Sequence, residues 1–197
     1  MATKGQAWAE DQRAARVAEL RGRVAEAVGE AGPLTLEIGC GHGHWLVAYA
    51  EAHPGERCVG IDLLGERLRK CEAKRARRGL GNVVFLKAEA SELLDALPGA
   101  PRLDKVFILY PDPWPKRRQT RKRFLQAANL DRLARTARPG CRLAFRTDHA
   151  DYHEAAGQAL AAHPEWEPLG GEPWPFESPT FFQDLLRDRR DLQARRR

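Results

Sequence analysis

What is scarce in this chain excludes several classes of protein at once. No apolar run approaches the length of about 20 residues that crosses a bilayer, and Met1 to Glu10 lacks the apolar core of a signal peptide. No membrane association is expected, and a cytoplasmic location follows by default. Cysteine is sparse: Cys40, Cys58, Cys71 and Cys141 stand singly, without the paired spacing of a zinc site or the density of a disulfide scaffold. They are expected to be reduced core thiols, and no metal is expected. There are no internal repeats, and the one low-complexity stretch is an arginine-rich end that is expected to fray. A chain of 197 residues can bury one full core but leaves no room for a separate large substrate domain.

Charge is the quantity in excess. A net charge of +6 and a pI near 9.4 permit an anionic partner, yet many basic proteins bind no nucleic acid, so placement matters more than the sum. Basic residues gather loosely at Arg67, Arg69, Lys70, Lys74, Arg75, Arg77 and Arg78, and tightly at 116–123 and 187–197. The first group lies on an apparent helix and reads equally as a solvated face or a binding face.

Periodicity gives a leading amphipathic helix over residues 7–28, ended by Gly29 and Gly32-Pro33. Short apolar strands follow at 34–38, 57–61, 83–86, 105–110 and 142–146, alternating with helices at 44–52, 64–78, 91–96, 121–137 and 151–162. Such alternation predicts an α/β fold, a doubly wound and mostly parallel sheet that binds ligands beyond the carboxyl ends of its strands. The domain reading is a helical extension over 1–32, a main domain over 33–183 and a basic tail over 184–197.

Two constellations sit at those strand ends. Gly39, Gly41 and Gly43 let the backbone turn sharply ahead of a helix amino end. A bare glycine pattern is weak, but Glu37 precedes the first glycine inside the strand and Asp62 closes the next strand, where an acid can read a ribose diol. A carboxylate before the glycines opposes a pyrophosphate and suits the ammonium and sulfonium of S-adenosylmethionine, which favours a methyl donor over NAD. Glu89 after the third strand suits an adenine amino group, and reads equally as a solvated acid at a helix start.

The second constellation is Pro111-Asp112-Pro113-Trp114-Pro115-Lys116. Three prolines stiffen the segment and remove backbone donors, leaving a loop that carries a carboxylate, an indole and an ammonium. Those groups can hydrogen-bond a base, stack on it and hold its phosphate, although a proline-rich turn with a solvated basic tail is the plainer reading.

With Glu37-Ile38-Gly39-Cys40-Gly41-His42-Gly43 and Pro111 to Lys116 both present, the chain resembles the bacterial tRNA (guanine-N7-)-methyltransferase family from about residue 34 to 183. Thr147-Asp148, Tyr152 and His163-Pro164-Glu165-Trp166 also fit that pattern. The resemblance implies a Rossmann-like class I methyltransferase that moves a methyl group from S-adenosylmethionine to guanine N7 at position 46, in the tRNA variable loop. It implies that Glu37, Gly39, Gly41, Asp62, Glu89 and Asp112 contact the cofactor, with Asp112 also at the reaction centre. Lys116, Asp148, Thr180 and Gln183 would contact the tRNA.

Guanine N7 offers an in-plane lone pair and no proton, so alignment matters and a general base does not. Asp112 or Asp148 could accept from the N1 and exocyclic amino hydrogens, while Trp114 braces the loop or stacks on a flipped base, and Lys116 and the arginines behind it, up to Arg123, would meet phosphates. His42, His44, His149 and His153 are therefore read as loop or surface histidines. The family pattern breaks at Gln183, where an acid is expected, and at Glu89, where Ala88-Glu89-Ala90 replaces Gly-Asp-Ala. No apolar run after Leu186 supplies a final strand, so either that edge strand is missing or a segment such as 167–169 covers the edge alone. A same-fold methyltransferase acting on another RNA or a small substrate, and a noncatalytic RNA-binding relative, remain as alternatives.

Overall fold

A computed structural model describes residues 3–29, 32–97, 102–178 and 188–197. Thr180 and Gln183 lie outside them. The chain runs α1 (Lys4–Val28), β1 (Leu34–Ile38), α2 (His44–Ala52), β2 (Cys58–Asp62), α3 (Gly65–Arg77), β3 (Val83–Lys87), α4 (Ala90–Ala96) and β4 (Leu103–Leu109). A 3₁₀ turn at Arg117–Lys122 precedes α5 (Ala127–Thr136), β5 (Ala137–Thr147), α6 (Ala150–Ala162), β6 (Trp166–Leu169) and β7 (Arg190–Arg196).

The seven strands form one sheet in the order β3-β2-β1-β4-β5-β7-β6. Strands β1 to β5 pair in parallel, whereas β7 runs antiparallel to both β5 and β6. Strands β1 and β2 are buried along their whole length, as expected where helices cover both faces. Leu36, Ile38, Val106 and Ile108 share a core with α1, α4, α5 and α6, while Phe107 and Phe85 pack on the opposite face with α2 and α3. Among the described residues no helix is long and apolar enough to cross a membrane.

Three expectations need correction. The arginine-rich end, expected to fray, contains β7, so the last strands of the sheet are present. An antiparallel strand needs alternation rather than an apolar run. Leu192 and Ala194 reach the core, while Asp191, Gln193 and Arg195 meet Arg146, Arg142 and Glu167 on the other side. The segment 167–169 does not cover the edge alone, because β7 is inserted between it and β5. The helix expected over 121–137 is split, with Lys122 ending the 3₁₀ turn and α5 starting only at Ala127.

Gly60, in the middle of β2, has no room for a side chain. A Cβ there would lie 2.8 Å from both Leu46 Cδ2 and Phe85 Cδ1. Gly60→Ala is therefore expected to destabilise the fold by roughly 1–3 kcal/mol through overpacking, read from urea unfolding; an unchanged midpoint would show that the two side chains yield freely.

Candidate active site

The strand order reverses between β1 and β4, and a cleft of about 620 Å³ opens there beyond the carboxyl ends of β1 to β4. Its wall carries Glu37, Gly39 and Gly41 from the first constellation, Asp62 and Glu89 from the next two strand ends, and Asp112 and Trp114 from the proline loop. Residues up to 115 positions apart in the sequence, from Glu37 to Tyr152, thus share one cavity.

The glycine loop is shaped by contacts that the spacing alone could not reveal. Gly41 and Gly43 have φ of 54° and 69°. At Gly43 a Cβ would also lie 2.8 Å from Cys71 Sγ, so glycine is required there by conformation and by space. Asp62 holds the loop in place: its Oδ2 accepts from Gly41 N at 3.1 Å, and its Oδ1 accepts from Leu64 N at 2.8 Å. Arg67 adds an ion pair at 3.4 Å. A ribose at this acid would meet a carboxylate already fixed by two backbone donors, which pre-orients its remaining lone pairs.

Glu37 differs from Asp62 in having an oxygen to spare. Its side chain is 3% exposed, and Oε2 has no hydrogen-bond partner in the structure. Burial, with the nearby Cys71 thiol and the Asp62 carboxylate adding repulsion, pushes its carboxyl up to about 8. An orphaned buried oxygen facing a cleft fits a ligand that brings a positive charge and donor hydrogens, the attributes of S-adenosylmethionine.

Glu89 is committed in part to its own helix. As the N-cap of α4 it accepts from Glu92 N at 3.1 Å and from Ser91 Oγ at 2.5 Å, the solvated helix-start reading, although it still lines the cleft.

The proline loop leaves β4 through Tyr110, at φ 48°, and turns again at Trp114, at φ 43°. Left-handed backbone at bulky residues is costly and persists only where the surroundings enforce it. Tyr110 N donates to Arg146 O at 2.7 Å, prolonging the β4–β5 ladder. Arg123, 7% exposed, donates through Nε to Pro113 O at 2.8 Å and through Nη1 to Asp151 O at 3.3 Å, with its guanidinium 4.9 Å from the Tyr152 ring. Arg123 was expected, with the rest of the 116–123 run, to meet phosphates. It is instead a buried brace for the loop, because its fork donates at once to a loop carbonyl and to a carbonyl at the start of α6. Lys122 Nζ lies 4.4 Å over the Trp114 ring, so that indole is held by a cation within the cleft wall.

The remaining expected site residues are less gathered. Lys116 is exposed at the start of the 3₁₀ turn, and Asp148 follows β5 outside the cleft lining, though close enough for its charge to bear on Tyr110. His42 and His44 line the cleft, and both are held below the usual histidine range, chiefly by burial and then by neighbouring cations including Lys74. His153 contacts Asp191 O at 3.2 Å, away from the cleft. Among the described residues no set of three histidine, cysteine or acidic side chains converges as a metal site.

One residue of consequence was not read from the sequence. Arg146, 1% exposed, binds Asp191 of β7 at 2.7 Å and Glu177 at 3.0 Å, and stacks on Trp174 at 3.9 Å. It ties the segment around 174–177 to the end of β5, beside the proline loop. Its position between Phe145 and Thr147, in the buried final stretch of β5 from Leu143 to Thr147, is the only local signal of this role.

Comparison with known proteins bears on the family and the fold. The family described as "Putative methyltransferase" matches residues 31–184. A tRNA (guanine-N(7)-)-methyltransferase of Roseobacter denitrificans is 35% identical over 171 residues, covering 82% of this chain and 71% of that protein. The Rhodospirillum rubrum protein of the same name is 34% identical, covering 83% and 64%. That of Nocardia farcinica is 37% identical over 136 residues, covering 69% and 51%, so the match spans between half and three quarters of these relatives' lengths. Among solved structures, a 16S rRNA methyltransferase, KamB, superposes with a TM-score of 0.66 at 18% identity, covering 89% of this chain and 93% of that one. A 16S rRNA (adenine(1408)-N(1))-methyltransferase from Catenulisporales acidiphilia gives 0.61 at 20% identity, covering 89% and 90%. These two likenesses establish the class I methyltransferase fold. The cleft, its two sequence constellations and the curated relatives lead to one assignment: the chain belongs to the tRNA (guanine-N7-)-methyltransferase family.

Proposed function

We propose that this protein transfers a methyl group from S-adenosylmethionine to N7 of guanine 46 in the variable loop of tRNA. The observation that carries the reading is the opening of the proline loop, with Asp112 and Trp114, into the same cleft as the glycine loop and the unpartnered Glu37 oxygen.

When bound, S-adenosylmethionine supplies a sulfonium methyl, and its transfer forms the N7–carbon bond as the carbon–sulfur bond breaks. Glu37 would accept from the cofactor's ammonium, Asp62 from its ribose and Glu89 from its adenine amino group, with Gly39 and Gly41 giving close backbone approach. Asp112 would accept from guanine N1–H and the exocyclic amine, which holds the base and rejects adenine, whose N1 has no proton to donate. The positive charge passes from sulfur to the purine, so a fixed carboxylate beside the ring also stabilises the product-like transition state. Rigidity of the loop, enforced by three prolines and by Arg123, keeps N7 in line with the methyl group. Lys116, Asp148, Thr180 and Gln183 are proposed to meet the tRNA.

The deciding test incubates the protein with labelled cofactor and unmodified bulk tRNA, then maps the label. It is expected as 7-methylguanosine at position 46. Label on another nucleoside would favour a different RNA methyltransferase, and absence of cofactor binding would leave an RNA-binding role. Lys116→Ala should weaken tRNA binding and lower the slope of log affinity against log salt by about one, measured by fluorescence anisotropy; an unchanged slope would remove Lys116 from the interface.

A further inference from the structure

Helix α3 and the residue after it carry more positive charge than the cofactor cleft requires. Four of its cations are matched by acids: Arg67 by Asp62, Lys70 by Glu66 at 3.4 Å, Arg75 by Glu72 at 2.7 Å and Arg78 by Glu51. Lys74 and Arg77 have no carboxylate within 4.0 Å among the described residues. Lys74 Nζ instead donates to His42 O at 2.8 Å, and Arg77 Nε donates to Ala73 O at 3.4 Å, leaving most of their donors unused.

These two cations are not spread over a convex face. With Arg78, His44 and Val47 they line a pocket of about 290 Å³, at the small end of the range for ligand sites. Burial, joined by the like charges of Arg77 and Lys70 and opposed by Cys71, holds the Lys74 ammonium below its usual range. An anion relieves that repulsion, and a concave wall focuses the field towards it.

His44 lines both this pocket and the cofactor cleft, so the two are neighbours on either side of one side chain. On another part of the cleft wall stand Trp114 and Lys122, the latter the last residue of the basic 3₁₀ turn. A polyanion whose base enters the cleft therefore has cations both on the cleft wall and in the pocket next to it. An isolated small anion would need only one of them.

We propose that the pocket formed by Lys74, Arg77 and Arg78 beside His44 binds a backbone phosphate of the RNA substrate, as a second anchor next to the cleft, in addition to the 3₁₀ turn. This inference rests on the proposed function in taking RNA as the substrate. It assigns to α3 a role in holding the nucleic acid, in addition to its packing against the sheet.

The test compares wild type, Arg77→Ala and Lys74→Ala/Arg77→Ala for binding of unmodified tRNA by fluorescence anisotropy at several potassium chloride concentrations. Cofactor affinity is measured in parallel. Arg77→Ala is expected to lower the salt slope by about one and the double variant by about two, with affinity falling roughly tenfold or more in the latter. Cofactor affinity should stay within about twofold of wild type for Arg77→Ala, whose side chain touches neither the glycine loop nor the cleft. If the double variant disturbs cofactor binding through the lost Lys74 contact to His42, Arg77→Ala alone decides. Unchanged slope and affinity in Arg77→Ala would overturn the proposal while leaving guanine methylation intact. Wild type that binds tRNA without forming 7-methylguanosine, but with the slope loss in the variants, would overturn the functional reading and leave the phosphate site standing. Absence of tRNA binding by wild type would overturn both.

Discussion

Asp112→Ala is expected to lower the rate of methyl transfer to tRNA by roughly 100-fold or more, with little change in stability. The reasoning starts from what the reaction does not need. N7 carries no proton, so no group must remove one, and catalysis has to come from holding the base and from electrostatic stabilisation as the purine gains charge. Asp112 is the carboxylate on the rigid loop within the cleft, exposed and with no protein partner in the described hydrogen bonds. Its exposure makes the variant informative, because exposed substitutions usually stay within about 0.5 kcal/mol of wild type. Single-turnover methylation alongside urea unfolding separates the two effects. Asp112→Asn keeps the shape and one acceptor but introduces a donor, so its activity should fall between wild type and alanine. Full activity in Asp112→Ala would remove this residue from the reaction centre.

Glu37→Gln is expected to weaken S-adenosylmethionine binding by roughly 10- to 100-fold, the usual loss for a charge-assisted hydrogen bond. A second effect follows from pH. In the empty cleft the Glu37 carboxyl titrates at about 8, so at neutral pH it is mostly protonated. A cationic ligand recruits the ionised form, and each unit of pH below 8 should therefore cost up to about tenfold in affinity. Wild-type affinity should climb with pH and level off above about 8, while Glu37→Gln stays flat across that range; calorimetric titrations in buffers of different ionisation enthalpy would also detect the proton released on binding. Stability moves in the opposite direction. The folded value lies above the ordinary 4.5, so Glu37 contributes stability that is fully present below about 4.5 and is lost as pH rises through about 8. Across that window the empty wild-type protein should lose up to about 1.4 kcal/mol per pH unit relative to Glu37→Gln. A pH-independent cofactor affinity in wild type, or cofactor binding by Glu37→Gln equal to wild type, would contradict this role.

The two variants test groups whose legibility in the sequence differs. Glu37, the glycines and Asp62 were readable because each lies at or within five residues of a strand end, and strand ends follow from hydrophobic period and glycine punctuation. Asp112 was readable because three prolines around it exclude regular structure. Arg123 was misread because charge patterning counts cations without knowing which have backbone carbonyls in reach; its contacts to Pro113 and Asp151 exist only once β4 and α6 are packed together. Strand β7 was missed for a related reason. Its charged residues look like a solvated tail until Glu167 pairs with Arg195 and Arg146 with Asp191 across the sheet.

By itself the sequence determined the parallel α/β order and the positions of the glycine loop and the proline loop at strand ends. These depend on local rules: period, turn residues and the placing of one carboxylate before a glycine. Only the tertiary structure decided that Asp62 secures the glycine loop, that Glu37 is left with an unsatisfied buried oxygen, and that Lys74 and Arg77 meet in a pocket beside His44. Whether a charged group is paired, buried or free to receive a ligand depends on which distant segments desolvate it and offer partners. That is set by packing across the sheet, and no window of sequence contains it.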